Sequence, residues 1–477
     1  MTAVNVPGRS GRRLSAFAIP LICTAQLMAT LDVTIVNLAL PAMQREFALS
    51  DAGLAWVIDA YTLAYAGLLL LGGRAGDLVG HRRTLMIGIS VFAASSLLGG
   101  FAYDPGLLLA ARAGQGVGAA LATPTTLSLI TTLFPPGPGR TKAMVAYGAM
   151  AGLGITIGLV LGGVLTELAS WRWVFLVNVP IGVVLLAAAP RVLPESTGAR
   201  RRLDVLGAAV GTAALTTLVY GVIRAGIDGW GDLVSTVALA SAVLLLAVFA
   251  LVERGAAEPM LPLRLLAHRT RLGACLIAGL LFACLYPSFF FLSRALQDVL
   301  GQEPIEAGLR FLPIGLGVLV FAIVTRRLVH VTGARTLVLG GTAATAVAAL
   351  SLVMVDAGSS YPALLLPALI GLGAGVGTTF VANAASAMTD VAEADAGIAS
   401  GLLSTFQAVG GTIGVAVLAA LAASATRADL AERAASAAPS PDAAREALVA
   451  GFGQGFAVAG GLAVLALVVA VWTAPKR

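Results

Sequence analysis

Long apolar stretches separated by short polar segments are the feature of this sequence that most constrains its fold. A membrane-spanning helix needs about 20 mainly apolar residues, and fourteen such stretches lie along the chain. Charged residues make up 11% of the 477 residues, against roughly 25% in a soluble domain. The sequence therefore predicts an all-α polytopic membrane protein. The predicted spans are 14–40, 53–72, 84–102, 106–133, 143–166, 173–190, 203–223, 234–252, 272–293, 307–325, 336–355, 362–388, 396–423 and 452–473.

Positive charge is distributed unevenly between the two sides of this arrangement. Of the 30 lysines and arginines, 21 fall in segments on the side of the termini, eight on the other side, and Arg112 within a span. Cytoplasmic loops carry the excess of basic residues, so we expect both termini in the cytoplasm. The net charge of +6 is then explained by the membrane, and no nucleic-acid partner is expected. The polar stretch 424–450 predicts an outer loop with a short surface helix.

An internal repeat divides the chain. "LLLAARAGQGVGAA" (107–120) matches "LLLPALIGLGAGVGTT" (364–379) at an offset of 257 residues, with three glycines aligned. Weak internal symmetry is typical of transporters built from two halves. The offset is too long for six spans, so the sequence predicts a six-helix half (1–202), an insertion of two helices with a basic linker (203–270) and a second six-helix half (271–477). The inserted hairpin carries no charge deep in the bilayer, so we expect it outside the transport path.

Three ionisable residues lie within spans of the first half. Counted from the outer ends, Asp32 lies about 13 Å deep, and Asp59 and Arg112 about 9 Å deep, at 1.5 Å per residue. Similar depths allow a shared polar cavity, in which a titrating carboxylate beside a fixed positive charge could couple a proton gradient to transport. Two alternatives stay open: Arg112 and one aspartate could form a structural ion pair, and Asp59 could face the outer water.

Glycines recur at regular spacing on the fifth span. Gly154, Gly158 and Gly162, with Gly163 beside them, form a smooth stripe on the fifth span where another helix can approach closely.

No nucleophilic triad, carboxylate pair or metal-ligand spacing is present in the sequence, so neither an enzyme nor a cofactor nor a metal is expected. The three cysteines lie in apolar runs and are interpreted as buried thiols.

These motifs together resemble the major facilitator superfamily, in its fourteen-helix drug:proton antiporter branch. "LDVTIVNLALP" (31–41) is similar to the first-helix motif of that branch, "ARAGQGVGAA" (111–120) to the fourth-helix motif, and "WRWVFLVNVPIG" (171–182) is also typical. "GGRAGDLVGHRR" (72–83) is similar to the superfamily loop motif. The fifth-helix stripe departs from the antiporter motif, since Leu159 follows Gly158 where the family has proline.

The resemblance implies a secondary exporter of small lipophilic molecules, commonly antibiotics. Proton entry would drive the export, and rocking of the two halves would provide alternating access. Arg112 would take part in proton coupling, and Asp32 and Asp59 in coupling or cation recognition. The cytoplasmic gate would comprise Gly73, Asp77, Gly80, Arg82 and Arg83. Candidates for the substrate cavity are Asn37, Gln115, Phe282, Tyr286, Phe289, Asn383 and Gln407.

Two alternatives to export of a drug stay open at this point: a proton-coupled transporter of an ordinary metabolite, and a membrane sensor that transports nothing. We expect a protein of the bacterial cell membrane that functions as a monomer and whose partners are protons, a small-molecule substrate and the lipid bilayer. The arginine-, alanine- and glycine-rich, lysine-poor composition indicates a bacterium with GC-rich DNA.

Overall fold

A computed structural model describes residues 9–134, 138–194, 205–255, 263–356, 358–389, 391, 396–436 and 441–474. This part of the chain is helical apart from turns and short connections. The helices are α1 (Arg9–Phe47), α2 (Asp51–Val79), α3 (His81–Gly100), α4 (Pro105–Leu133), α5 (Pro138–Leu168), α6 (Trp173–Leu176), α7 (Asn178–Val192), α8 (Val205–Asp228), α9 (Leu233–Gly255), α10 (Leu263–Ala267), α11 (Arg269–Arg294), α12 (Pro304–Arg310), α13 (Leu312–Thr332), α14 (Ala334–Ser351), α15 (Leu366–Ala387), α16 (Ala396–Ser436) and α17 (Pro441–Thr473).

Eleven helices within the described ranges are long and apolar enough to cross a membrane. Shorter apolar segments, Gly53–Leu69 and Leu153–Leu168, lie in α2 and α5, and α4 is 29 residues long. Every predicted span overlaps a helix. The all-α polytopic class is therefore confirmed, and the number of fourteen crossings stays a prediction.

The polar stretch 424–450 differs from the predicted loop. Helix α16 continues to Ser436, and α17 already begins at Pro441. The segment is rich in alanine, the residue with the highest helix propensity, and an i,i+4 ion pair joins Asp429 to Arg433. Local propensity thus extends both helices, leaving 437–440 as the only part of this stretch outside the described residues.

The internal repeat corresponds to repeated packing. In the first half, Gly88 of α3 and Gly118 of α4 face each other, and a Cβ built on either glycine would lie 2.6–2.8 Å from the carbonyl oxygen of the other. In the second half, Gly341 of α14 and Gly375 of α15 make the same contact at 2.7–2.9 Å. Only glycine permits such a close approach of two backbones. The aligned Gly118 and Gly375 therefore take part in the same kind of helix packing in both halves.

The two halves meet near one face of the bundle. We call the face at which α1, α5 and α11 begin the terminal face, and the opposite one the far face. Near the far face, the Ser293 hydroxyl of α11 donates to the Asn37 carbonyl of α1 (2.8 Å), and the Ile305 amide donates to the Glu167 carboxylate (2.8 Å). One apolar cluster there includes residues of both halves, such as Leu38 and Phe289.

The halves are less joined towards the terminal face. A first-half cluster, which includes Ile22 and Leu193, and second-half clusters, which include Cys275 and Val338, are separate among the described residues. The halves still touch there through α2 and α16, where Leu69 packs with Ala408. The structure is therefore closed at the far face.

Helices α8 and α9 form a hairpin on the outside of this bundle. Helix α8 packs against α2 and α16, and α9 packs mainly against α8. Leu233, Val243, Leu244 and Leu251 of α9 are exposed. Apolar side chains on the surface of a membrane protein face lipid.

This position predicts how a cysteine on α9 reacts. We expect Ala240→Cys, with Cys23, Cys275 and Cys284 replaced by alanine, to resist a water-soluble maleimide in membranes and to react after denaturation in detergent. Ala240 is exposed in the middle of an apolar helix, where lipid excludes the reagent. Ser360→Cys, at an exposed connection between helices, serves as the reactive control. Equal rates at both positions in intact membranes would mean that α9 borders water.

Candidate functional site

Asp32 and Arg112 form a buried ion pair between α1 and α4. An Arg112 Nη1 nitrogen lies 2.7 Å from the Asp32 Oδ2 oxygen, and the two side chains are 1% and 0% exposed. Removing one partner of such a buried pair leaves an uncompensated charge in a medium of low dielectric constant. The two residues therefore depend on each other in this arrangement of the helices.

Three further polar side chains, those of Gln115, Asn178 and Ser96, complete the hydrogen-bond network around the Asp32–Arg112 pair. The side-chain amides of Gln115 (2.7 Å) and Asn178 (2.9 Å) both donate to Asp32 Oδ1. Gln115 also accepts from Arg112 (2.8 Å) and donates to the Ser96 hydroxyl (2.8 Å). The network thus joins α1, α3, α4 and α7, and the Asp32 carboxylate accepts three hydrogen bonds without contact with solvent.

Local features of α4 place Arg112 in this network. The Asp104 side chain accepts from the Leu107 amide, and Pro105 occupies the first turn, so α4 begins at a defined residue. Gln115 follows Arg112 by three residues and lies on the same helix face. The guanidinium is also held by the Val57 carbonyl of α2 (2.9 Å) and lies 4.6 Å from the centre of the Tyr61 ring.

Asn178 of α7 is a site residue that the sequence interpretation missed. In the sequence, the motif around it (171–182) supports only the family resemblance. Asn178 is fully buried, and its Oδ1 atom has no hydrogen-bond partner within the described part of the chain. It is the only amide in the otherwise apolar segment 173–189, and this isolation was the available signal.

Asp59 does not join the network. Its side chain is 1% exposed, and its Oδ1 oxygen has no hydrogen-bond partner among the described residues. Trp56 and Leu63, one turn away on either side, pack towards α8 and α16, so Asp59 lies on that face of α2. Of the three ionisable residues expected at similar depth, Asp32 and Arg112 lie together. Asp59 faces neither the outer water nor this pair.

The glycine stripe of α5 contacts two different elements. Cβ atoms built on Gly154, Gly158 and Gly162 would collide with Thr30, Thr34 and Ile35 of α1. A Cβ on Gly163 would instead lie 2.2 Å from the Pro304 carbonyl oxygen of the second half. Three glycines therefore serve packing within the first half, and Gly163 serves contact between the halves.

The residues expected at the cytoplasmic gate lie in the last turns of α2 (Gly73 and Asp77), at the turn after it (Gly80) and at the start of α3 (Arg82 and Arg83). Gly80 has a φ of 97°, which favours glycine and permits the sharp turn, and Gly73 lies near Pro124. Arg82 donates to the Pro190 and Leu193 carbonyls of its own half (3.4 and 3.2 Å), and Arg83 is exposed. The Asp77 side chain lies outside the described part of the structure.

The expected cavity residues divide into buried and partly accessible groups. Phe289 is 2% exposed and packs against Phe311 in the far-face core, because its helix face meets the other half. Asn37 and Asn383 are buried and donate to the Val33 and Ala274 carbonyls, and Gln115 belongs to the ion-pair network. The side chains that stay partly exposed are those of Phe282, Tyr286 and Gln407.

Two similar helical halves, the first of which holds a buried charged network, define a class, the secondary membrane transporters. The sequence comparisons identify the family. Residues 22–415 match the family model described as Major Facilitator Superfamily. The chain belongs to this superfamily; it is a transporter and not an enzyme. Among the described residues, no group of three or more His, Cys, Asp or Glu could hold a metal ion.

Named relatives and solved structures are similar over most of their length. The chain is 42% identical to the puromycin resistance protein pur8 of Streptomyces alboniger, covering 94% of this chain and 89% of the relative. It is 40% identical to the cephamycin export protein CmcT of Amycolatopsis lactamdurans, covering 99% and 96%. A bacterial homologue of the human lysosomal transporter Spinster, solved in an inward-facing, unoccupied conformation, has the same fold, with a TM-score of 0.66 at 16% identity over 99% and 100% of the two chains.

The ion pair makes a prediction about stability. We expect Arg112→Ala to lower the free energy of unfolding by about 3–5 kcal/mol, because it leaves the Asp32 charge without its partner. The double variant Asp32→Asn/Arg112→Ala should recover much of this loss, because the unpaired charge is gone. Thermal unfolding of the purified proteins in detergent measures both. Additive losses in the double variant would contradict a tight pair.

Proposed function

We propose that this protein exports small lipophilic molecules of the antibiotic type and drives this export by proton entry. The relatives named for resistance to puromycin and for export of cephamycin support the substrate class. Partly exposed Phe282 and Tyr286, whose rings lie 5.3 Å apart, offer an aromatic surface to an apolar substrate. The alternative of an ordinary metabolite as substrate has no comparable support.

The single observation that carries the coupling mechanism is the coordination of Asp32. A carboxyl group with a neighbouring cation and three donors changes its proton affinity when burial or any of these contacts changes. Asp32 lies on α1 and its donors on α4 and α7, so a shift of these helices relative to one another would alter the proton affinity. Protonation of Asp32 would in turn leave Arg112 without a counter-charge. Proton binding and helix position are thus linked in both directions.

The two ends of the bundle take opposite roles in this mechanism. We place both termini in the cytoplasm, which makes the far face the outer one and the described structure an inward-facing state. Fourteen spans, divided into the halves 1–202 and 271–477 with 203–270 between them, give the two-half arrangement that rocking requires. Gly163 against Pro304, and Gly308 against Leu159, form smooth contacts at which the outer gate would open and close.

A purely structural ion pair is the competing explanation of the network, and the coupling can be tested against it. In everted membrane vesicles, addition of substrate to an exporter releases protons from the vesicle. We expect Asp32→Asn to abolish substrate-induced proton release at normal protein level, because asparagine keeps the shape and removes the titrating group. Measurements use the fluorescence of a pH-sensitive dye, with puromycin and a cephamycin as probes.

The control for this experiment is Asp232→Asn. Asp232 lies before α9 and accepts from the Ser235 amide as a helix cap (2.9 Å), a role that asparagine fills equally well. It should retain the proton release of the unmodified protein. Substrate-induced proton release that persists in Asp32→Asn would remove Asp32 from the coupling mechanism and leave the pair a structural role.

The contact at Gly163 makes a separate prediction about the outer gate. We expect Gly163→Val to block closure of the far face, because even a Cβ atom would overlap the Pro304 carbonyl. Transport should be lost, and Asn37→Cys, buried at that face, should become reactive to an external water-soluble maleimide. Gly461→Val, where a Cβ meets nothing within 4 Å, is the matched control. Normal transport by Gly163→Val would show that this contact does not restrict the cycle.

A further inference from the structure

The inserted hairpin occupies a particular position on the bundle, the seam between the two halves. Val219, Val222 and Ile223 of α8 form one buried cluster with Ala416 of α16, and Trp56 and Leu63 of α2 pack against it. Helix α2 belongs to the first half and α16 to the second. Helix α8 therefore contacts both halves at once, along the lateral boundary between them.

A close contact fixes α8 on α2. A Cβ built on Gly67 would lie 2.3 Å from the Thr216 hydroxyl oxygen and 3.5 Å from its Cβ atom. Thr216 and Val219 are three residues apart and lie on one face of α8. The same face of α8 thus fits against the glycine on α2 and reaches across to α16.

Asp59 lies on α2 about two turns from Gly67. It shares the face of α2 with Trp56 and Leu63, whose neighbours come from α8 and α16. The residues of that cluster are apolar, and the basic residue at the outer end of α8, Arg224, is paired with Asp228 at 2.7 Å. Asp59 is 1% exposed, with an unpartnered Oδ1 oxygen.

The form of Asp59 follows from these surroundings. An ionised carboxylate without a partner is strongly disfavoured in an apolar, water-free environment. Such surroundings favour the neutral acid, which carries its proton, over the carboxylate. Without α8, the same face of α2 would border lipid at the seam between the halves, and a loosened seam would also admit water.

We propose that the α8–α9 hairpin is a lateral seal: α8 closes the seam between α2 and α16 over the Asp59 carboxyl and keeps lipid and water away from it. The contact of α8 with both halves carries this role, and the lipid-exposed α9 holds α8 in place from outside. The seal prevents protons from crossing the membrane through Asp59 without substrate. This inference concerns the inserted helices and holds whether or not Asp32 couples transport to protons.

An apolar carbodiimide tests the seal. Dicyclohexylcarbodiimide dissolves in the bilayer and adds to neutral carboxylic acids: the acid oxygen bonds to the central carbon, the acid proton moves to a nitrogen, and rearrangement leaves a stable acylurea. In liposomes, we expect Asp59 of the unmodified protein to react slowly. Gly67→Leu should make it react several-fold faster, because the added side chain separates α8 from α2. Mass spectrometry of the digested protein locates and quantifies the adduct.

Proton leak provides a second readout that needs no substrate. Liposomes with Gly67→Leu should lose an imposed pH gradient faster than those with the unmodified protein, and Gly67→Leu/Asp59→Asn should restore the slow rate. Thr216→Trp enlarges the same contact from the α8 side and should behave like Gly67→Leu, which covers the case that one variant fails to fold. Gly461→Leu, in open space on α17, should change neither readout.

Two results would overturn the seal. Rapid carbodiimide labelling of Asp59 in the unmodified protein would show that the carboxyl is already accessible from the bilayer. Unchanged labelling and leak in folded Gly67→Leu and Thr216→Trp would show that α8 does not protect it. Loss of transport in any of these variants bears only on the export proposal, since labelling and leak are measured without transport.

Discussion

The bilayer requires that every buried charge and backbone polar group be satisfied within the protein, and the arrangement of the first half follows from this requirement. Asp32 and Arg112 are stable at 0% and 1% exposure only because they meet each other. Their remaining hydrogen-bonding groups pair with Gln115, Asn178 and the Val57 carbonyl. One ion pair thereby fixes the positions of α1, α2, α4 and α7 relative to one another.

Close helix packing is the second constraint, and it explains why the repeat was visible in the sequence. Helices that approach through glycine leave no choice of side chain at the contact, so Gly118 and Gly375 align between the halves even where their neighbours differ. Regular apolar spans and aligned glycines could therefore be recognised from the sequence alone. The depth of Asp32 and Arg112 could be estimated as well, since depth depends only on the distance along a helix.

The direction in which a side chain points around its helix could not be predicted in the same way. Asp59 and Arg112 have similar depths, but Asp59 faces α8 and α16 while Tyr61, two residues on, faces Arg112. Phe289 was expected at the cavity and lies in the core, because the face of α11 that carries it meets the other half. Gly163 differs from its neighbours in the stripe for the same reason. Each of these outcomes depends on which helix packs where, and this information lies in the tertiary contacts.

The two halves are alike in packing and different in chemistry, and this contrast supports the proposed mechanism. At the position that corresponds to Arg112, the second half has Leu369, which is 1% exposed. The glycine contacts repeat in both halves, whereas the ion pair of Asp32 and Arg112 belongs to the first half. In the proposed mechanism, a proton that binds at Asp32 would act on the first half, which would then move relative to the second. The α8 helix bridges the two halves at their seam, so any rocking must slide one of them past it. The cluster through which it contacts α16 consists of apolar side chains, whose attraction is non-directional and tolerates sliding, which is the property that a seal between moving parts requires.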